Sequence, residues 1–178
     1  MKKILFLIVA VLLTIPYAAE AQVCFHYSCE YIEDGHFEGT HGWGSGGGNG
    51  VTFATISDPC AHVSTPRNTT VAELQNTEYI TRTFTTDAHT DWDLEFNLFI
   101  VNDTENWYDQ LKVTVKNNTT NQTETFYFHG NNTNSSCTKK VLNLANDYDN
   151  ASVTVKFENS YLATATWQID NVGFWGTL

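Results

Sequence analysis

Cationic side chains are scarce in this sequence, and their scarcity argues against one class of partner. Of 178 residues, 9 are Lys or Arg and 20 are Asp or Glu, so the formal net charge is −11. A chain this acidic repels the phosphate backbone of nucleic acids and the surface of anionic membranes. We therefore expect no nucleic-acid partner.

Long apolar runs are also missing, with one exception at the N-terminus. Two lysines precede the apolar run 4–15, and an Ala-Glu-Ala cleavage site follows at 19–21. This order is typical of a secretory signal peptide, here of bacterial type, and the run is too short to span a bilayer. No later segment is long enough to form a transmembrane helix. We therefore predict a signal peptide at 1–21 and a single domain at 22–178, secreted or periplasmic.

Cysteine is sparse, and its spacing argues against a zinc site. Four cysteines occur, and no two of them show Cys-x-x-Cys spacing. An even number of cysteines in an exported protein favours disulfide bonds, so we predict two of them and leave the three possible pairings open. The candidates are Cys24, Cys29, Cys60 and Cys137.

The motifs of common hydrolases are absent as well. The sequence contains no Gly-x-Ser-x-Gly and no His-Glu-x-x-His, and its six histidines are scattered. Acidic residues are plentiful, so a pair of carboxylates suited to glycoside hydrolysis stays open as an alternative. We predict a protein that is not an enzyme.

Alternation with a period of two runs through most of the remaining chain. In the segment 91–98, apolar residues at even positions alternate with polar residues at odd positions. Similar alternation recurs in 111–116, 126–129 and 153–158, and Asn- and Asp-rich turns separate these segments. The pattern predicts half-buried strands, and no helical pattern of useful length follows the leader. The sequence therefore predicts an all-β sandwich or barrel.

One acidic residue does not fit the final apolar segment. Asp170 lies within Trp167–Phe174, among residues typical of a buried last strand. A buried carboxylate needs hydrogen bonds or a cation. We expect Asp170 either to accept hydrogen bonds or to bind a metal ion.

Two segments give the chain a resemblance to a known fold family. The first is Ile-Glu-Asp-Gly-His-Phe-Glu-Gly at 32–39, followed by Gly-Trp at 42–43, and the second is Trp-Gln-Ile-Asp-Asn-Val at 167–172. Together they resemble the two ends of galactose-binding-like jelly rolls, the fold of many carbohydrate-binding modules. The resemblance covers essentially all of 22–178 and implies an antiparallel two-sheet jelly-roll β-sandwich.

The same resemblance implies a structural calcium ion. In this family an acid of the Phe-Glu stretch and a late Asp commonly share the metal, which carries over onto Glu38 and Asp170. Calcium takes several oxygen ligands, so carboxylates from both chain ends would hold the sandwich closed. The sequence departs from the family pattern at Asp34, where Asn is more usual, and at His36, whose ring is no calcium ligand.

Glycan binding needs exposed aromatic rings, because the flat C–H faces of pyranoses stack on them while polar side chains bind the hydroxyls. By strand parity, two tyrosines and a histidine lie opposite the core, and a Trp-Tyr pair follows an Asn- and Asp-rich loop. These candidates are Tyr79, Tyr127, His129, Trp107 and Tyr108. Trp43, in a glycine-rich loop, either adds another platform or folds over the sandwich as a plug.

These observations predict a monomeric, non-catalytic, secreted carbohydrate-binding β-sandwich that binds a polysaccharide or glycan. One alternative is a secreted or cell-surface structural or adhesion domain with no small ligand, and another is a small secreted hydrolase. An exposed aromatic strip favours glycan binding, a flat polar face favours adhesion, and two facing carboxyl groups favour hydrolysis.

Overall fold

The computed structural model describes residues 29–31, 42–48, 50–57, 68–101, 109–130, 137–160 and 165–177. All regular elements in these ranges are β-strands. They are β1 (Cys29–Tyr31), β2 (Gly44–Gly46), β3 (Thr52–Ser57), β4 (Asn68–Leu74), β5 (Tyr79–Thr85), β6 (Trp92–Val101), β7 (Gln110–Asn117), β8 (Thr123–His129), β9 (Thr138–Leu144), β10 (Ser152–Asn159) and β11 (Thr166–Thr177).

The strands form two antiparallel sheets. One has six strands in the order β3-β4-β11-β6-β9, with β1 also paired to β11, and the other has five in the order β2-β5-β10-β7-β8. The predicted antiparallel two-sheet β-sandwich is therefore confirmed. Within the described ranges, no helix is long and apolar enough to cross a membrane. The predicted signal peptide at 1–21 lies outside these ranges and stays a prediction.

The core lies between the sheets and follows the alternation seen in the sequence. On β6, Trp92, Leu94 and Phe96 are buried, and the polar residues between them are only partly covered. Phe96 packs edge-on against two aromatic rings of the other sheet, with centroids 5.6 Å from Phe128 and 5.0 Å from Phe157. Such edge-to-face pairs each contribute about 0.5–1.5 kcal/mol beyond the area they bury. These contacts hold the two sheets together.

The first described strand and the last lie side by side. Glu30 is paired with Gly176, and Tyr31 with Trp175, in an antiparallel ladder. The last strand is also interrupted, because its register with β6 shifts between Asp170 and Gly173. Asn171, inside this β-bulge, has a φ of 50°. Bulges bend a strand and re-aim its side chains, and this one lies next to the buried acid.

A buried tyrosine fastens the loop after β9 to the five-stranded sheet. The Tyr148 hydroxyl donates to Glu124 Oε1 at 3.0 Å, and the same carboxylate accepts the backbone N–H groups of Ala145 and Asn146 at 2.9 Å each. Burial, followed by the negative charge of Glu124, raises the pKa of Tyr148 far above its usual value. The phenol is therefore held in its protonated form by the fold.

We expect replacement of Tyr148 by phenylalanine to change the alkaline stability of the protein. A tyrosine in the unfolded chain ionises near pH 10, so the native contact contributes fully below about pH 10 and is lost as the pH rises further. Tyr148→Phe should cost about 1–2 kcal/mol at pH 7 and flatten the fall in stability above pH 10. Urea unfolding at pH 7 and at pH 11 measures both effects. Tyr127→Phe, at an exposed tyrosine, is the control, and equal alkaline slopes in all three proteins would contradict the assignment.

Candidate functional site

The outer surface of the five-stranded sheet gathers three of the residues predicted to bind ligand. On its four longer strands, alternate side chains enter the core, as Ile80, Val113 and Phe157 do. The intervening side chains form what we call the lysine–tyrosine face. It consists of Tyr79, Thr81, Thr83, Thr85, Gln110, Lys112, Thr114, Lys116, Thr123, Thr125, Tyr127, His129, Ser152, Thr154, Lys156 and Glu158.

Strand register aligns four of these residues in one row across the sheet. Tyr79 is paired with Glu158, Glu158 with Lys112, and Lys112 with Tyr127. The two tyrosines therefore stand three strand spacings apart, about 14 Å. We call this alignment the cross-strand row, and it runs perpendicular to the strands.

Tyr127 is the most open aromatic ring of the row. It is 53% exposed and lies on β8, one of the two edge strands of the sheet. Its neighbours Phe126 and Phe128 pack against the core. The ring is therefore held by a strand whose other side is anchored in the sandwich, and it offers a free aromatic surface to solvent.

Tyr79, at the other end of the row, is half-buried. The Lys156 ammonium lies 4.2 Å from the centroid of its ring, within the range of a cation–π contact. A Cβ atom on Gly46, the paired residue of β2, would come 2.5 Å from the Tyr79 hydroxyl oxygen. Glycine at this position leaves room for the tyrosine to lie across the edge strand, and Tyr79 is less accessible than Tyr127.

One carboxylate lies between lysines from two strands. Glu158 Oε1 is 2.6 Å from Lys156 Nζ, and Glu158 Oε2 is 3.7 Å from Lys112 Nζ. Their side chains are between 26% and 34% exposed, so water screens these pairs and each contributes less than about 1 kcal/mol. Lys116, further along β7, has no ion-pair partner among the described residues.

Polar side chains border the cross-strand row on the side away from Thr114 and Lys116. His129 is exposed and paired with Gln110, with 3.4 Å between the His129 Nε2 and Gln110 Nε2 atoms. The Ser160 hydroxyl lies 3.1 Å from Gln110 Oε1. A hydroxylated ligand lying along the row would meet donors and acceptors on this border.

Trp43 does not join this face. Trp43 is buried, with its ring centroid 5.9 Å from that of Phe157, so it fills the core as a plug. Trp107 and Tyr108 lie outside the described residues, and a platform formed by them stays a prediction.

Asp170 is buried, as its apolar surroundings in the sequence indicate. The Thr69 hydroxyl donates to Asp170 Oδ2 at 2.8 Å and thereby links β4 to β11. The described residues contain no group of three or more His, Cys, Asp or Glu side chains that would hold a metal. Glu38 lies outside them, so the calcium pair stays a prediction.

The disulfide pairing also stays a prediction. Cys137 is disulfide-bonded. Cys24 and Cys60 lie outside the described residues, and of Cys29 only the backbone is described. The three connectivities possible from the sequence remain open.

Sequence reasoning missed the charged part of the cross-strand row. Lys112, Lys156 and Glu158 each alternate with core residues, so parity alone indicates that they point outward. Parity does not reveal that Lys112 and Glu158 are paired, because this depends on the register of two strands far apart in the chain. The sequence signal for these charged residues was their alternation with core residues, which indicates that they point outward.

Comparisons with known proteins place this geometry in a structural context. No protein-family model matches the chain, and no curated protein matches it. Among solved structures, the family 11 carbohydrate-binding module of the cellulase Lic26A-Cel5E of Clostridium thermocellum is 15% identical, with a TM-score of 0.51. The match covers 85% of this chain and 98% of the module. The fold is the jelly roll of carbohydrate-binding modules.

Other matches have the same fold at similar distance. A family 29 carbohydrate-binding module is 10% identical, with a TM-score of 0.53, over 85% of this chain and 91% of the module. The jelly roll also matches within longer chains. It spans 20% of the bacteriophage CBA120 tailspike protein 4 chain, at 14% identity and a TM-score of 0.53. It spans 28% of a Clostridium thermocellum xylanase chain with family 22 and catalytic modules, at 12% identity and a TM-score of 0.53.

Proposed function

We propose that this protein is a non-catalytic carbohydrate-binding domain that holds a glycan along the cross-strand row. The observation that carries the proposal is the position of Tyr127, an open aromatic ring at the end of a row of polar side chains. The fold supports it, because the matched carbohydrate-binding modules share this jelly roll. A secreted or periplasmic location fits the predicted leader and remains part of the proposal.

The chemistry of the row suits a sugar chain. A pyranose ring stacks its C–H face on Tyr127, and its hydroxyl groups meet Lys112 and Glu158 beside it. Tyr79 and Lys156 lie at the far end, about 14 Å away. The row is therefore long enough for several linked rings rather than for a single sugar.

The calcium ion predicted at Glu38 and Asp170 is proposed as a structural element, separate from the glycan site. The donor chemistry at Asp170 fits such an ion, because a buried carboxylate lies beside a bulge that bends the strand. When bound, the ion would neutralise buried negative charge and tie the two ends of the chain together. The residues that hold it would be Asp170 and Glu38, with backbone carbonyl groups.

A glycan array with and without a calcium chelator tests the proposed function. We expect retained signals on a small set of polysaccharides or long oligosaccharides and little binding of monosaccharides, because the row spans several rings. Intrinsic fluorescence titration with the best hit then gives the dissociation constant. Absence of binding to every glycan, with the protein folded, would contradict the proposal and favour a structural or adhesion domain.

A further inference from the structure

We infer that the glycan bound at the lysine–tyrosine face is acidic and carries carboxylate or sulfate groups. The inference rests on the proposed function and names the class of ligand for that site. Three observations carry it: the sheet face on which the lysines lie, the excess of lysines over carboxylates on that face, and the positions of Lys112 and Lys156 along the cross-strand row.

The lysine–tyrosine face has the opposite charge to the chain as a whole. The formal net charge of the chain is −11, yet this face carries Lys112, Lys116 and Lys156 against Glu158. On the other sheet, the outward residues of β6 include Asp93 and Glu95. An acidic protein would repel an acidic polymer everywhere except on a patch of this kind, so the local reversal of charge directs such a ligand to one face.

Among the described residues, the lysines of this face outnumber the carboxylates that contact them. Glu158 is a single carboxylate shared by Lys156 and Lys112, and Lys116 pairs with no acid in the part of the chain that the structure describes. A protective role against sheet-edge association does not account for these lysines either. Protective lysines lie on edge strands, whereas β7 and β10 are interior strands of the sheet.

Lys112 is the lysine nearest to the place where a sugar ring would stack. Lys112 is directly paired with Tyr127, which puts their Cβ atoms about 5 Å apart. Lys156 is paired with Thr114, the next outward residue of β7, and its ammonium lies against Tyr79 at the far end of the row. Lys116 lies four residues along β7 from Lys112, about 13 Å off the row, and adds to the positive potential of the face. A ring stacked on Tyr127 would place its acidic substituent within reach of the Lys112 ammonium, and a group further along the row would meet Lys156.

A panel of neutral and acidic polysaccharides tests the inference. Mixed-linked β-glucan, xylan and galactomannan are the neutral arm, polygalacturonate and alginate the carboxylate arm, and carrageenan the sulfate arm. We expect an acidic arm to bind at least about tenfold more tightly than the neutral arm at low salt. The advantage should shrink as the ionic strength rises to about 0.3 M, because exposed charges are then screened. The two acidic arms distinguish carboxylate from sulfate.

A matched pair of variants separates a specific lysine contact from the loss of any positive charge. Lys112→Gln removes the lysine paired with Tyr127, and Lys139→Gln removes a lysine on the other sheet; each of the two makes one ion pair, with Glu158 and with Glu95. We expect Lys112→Gln to lower the ratio of acidic to neutral affinity about threefold to tenfold, and Lys139→Gln to leave it unchanged. Thermal melts of both variants check that they are folded.

The possible outcomes distinguish this inference from the proposed function. Equal affinity for neutral and acidic polysaccharides would overturn the inference and leave carbohydrate binding intact. Equal losses in Lys112→Gln and Lys139→Gln would also overturn it, because the effect would then be one of overall charge. Binding of no polysaccharide in any arm would overturn the inference and the proposed function together.

Discussion

Replacing Tyr127 with alanine should weaken glycan binding about 5- to 30-fold, because the side chain supplies the open stacking surface of the cross-strand row. Loss of a stacked aromatic ring costs about 1–2 kcal/mol of binding free energy, which corresponds to this factor. Fluorescence or calorimetric titration of the wild type and the variant with the same oligosaccharide measures the change.

A second exposed apolar residue provides the control for this variant. Val141 is 47% exposed and lies on β9, in the other sheet. Val141→Ala should leave the dissociation constant unchanged, and Tyr127→Phe should keep most of the affinity because it keeps the ring. Neither position is part of the core, so all three variants should melt close to the wild type. A Tyr127→Ala protein that binds as tightly as the wild type would place the site elsewhere.

Calcium should raise the melting temperature of the protein by about 5–10 °C. A ligand present at a hundred times its dissociation constant stabilises the native state by about 2.7 kcal/mol, and each kcal/mol shifts the melting temperature of a domain of this size by about 2–4 °C. The gain arises because a cation would offset the buried charge of Asp170. Differential scanning calorimetry in chelator and in excess calcium measures it.

Three variants locate the origin of the calcium effect. Asp170→Asn and Glu38→Gln preserve side-chain size and remove one charged ligand each, so both should abolish the increase in melting temperature. Thr69→Val removes the hydroxyl that donates to Asp170 Oδ2 and should lower stability while keeping the response to calcium. A wild-type protein with the same melting temperature in chelator and in calcium would refute the metal site.

The alternation in the sequence predicted which side chains form the core. Trp92 and Phe96 are buried as their parity indicates, and Tyr127 is exposed because it lies between two core-directed phenylalanines. This success has a simple physical basis. In a strand, each residue reverses the side-chain direction of the one before, so the apolar positions alone identify the buried face.

The partners across the sheet could not be predicted in the same way. The pairing of Lys112 with Glu158 depends on the register between β7 and β10, and that register is set by packing of the whole sheet rather than by local residues. Trp43 shows a related limit. It lies among glycines with no apolar periodicity, so only the structure shows that its ring packs against Phe157.

The position of β11 has a consequence for how the chain acquires its structure. This strand, Thr166–Thr177, is the last of the described strands along the chain, yet it lies in the middle of the six-stranded sheet, between β4 and β6. In a nascent chain that lacks these residues, the pair β3-β4 and the pair β6-β9 would have no strand between them to join them into one sheet. The five-stranded sheet has no such dependence, and its strands are complete once β10 has formed. We therefore expect the five-stranded sheet to assemble before the six-stranded sheet, which is completed only when β11 is added.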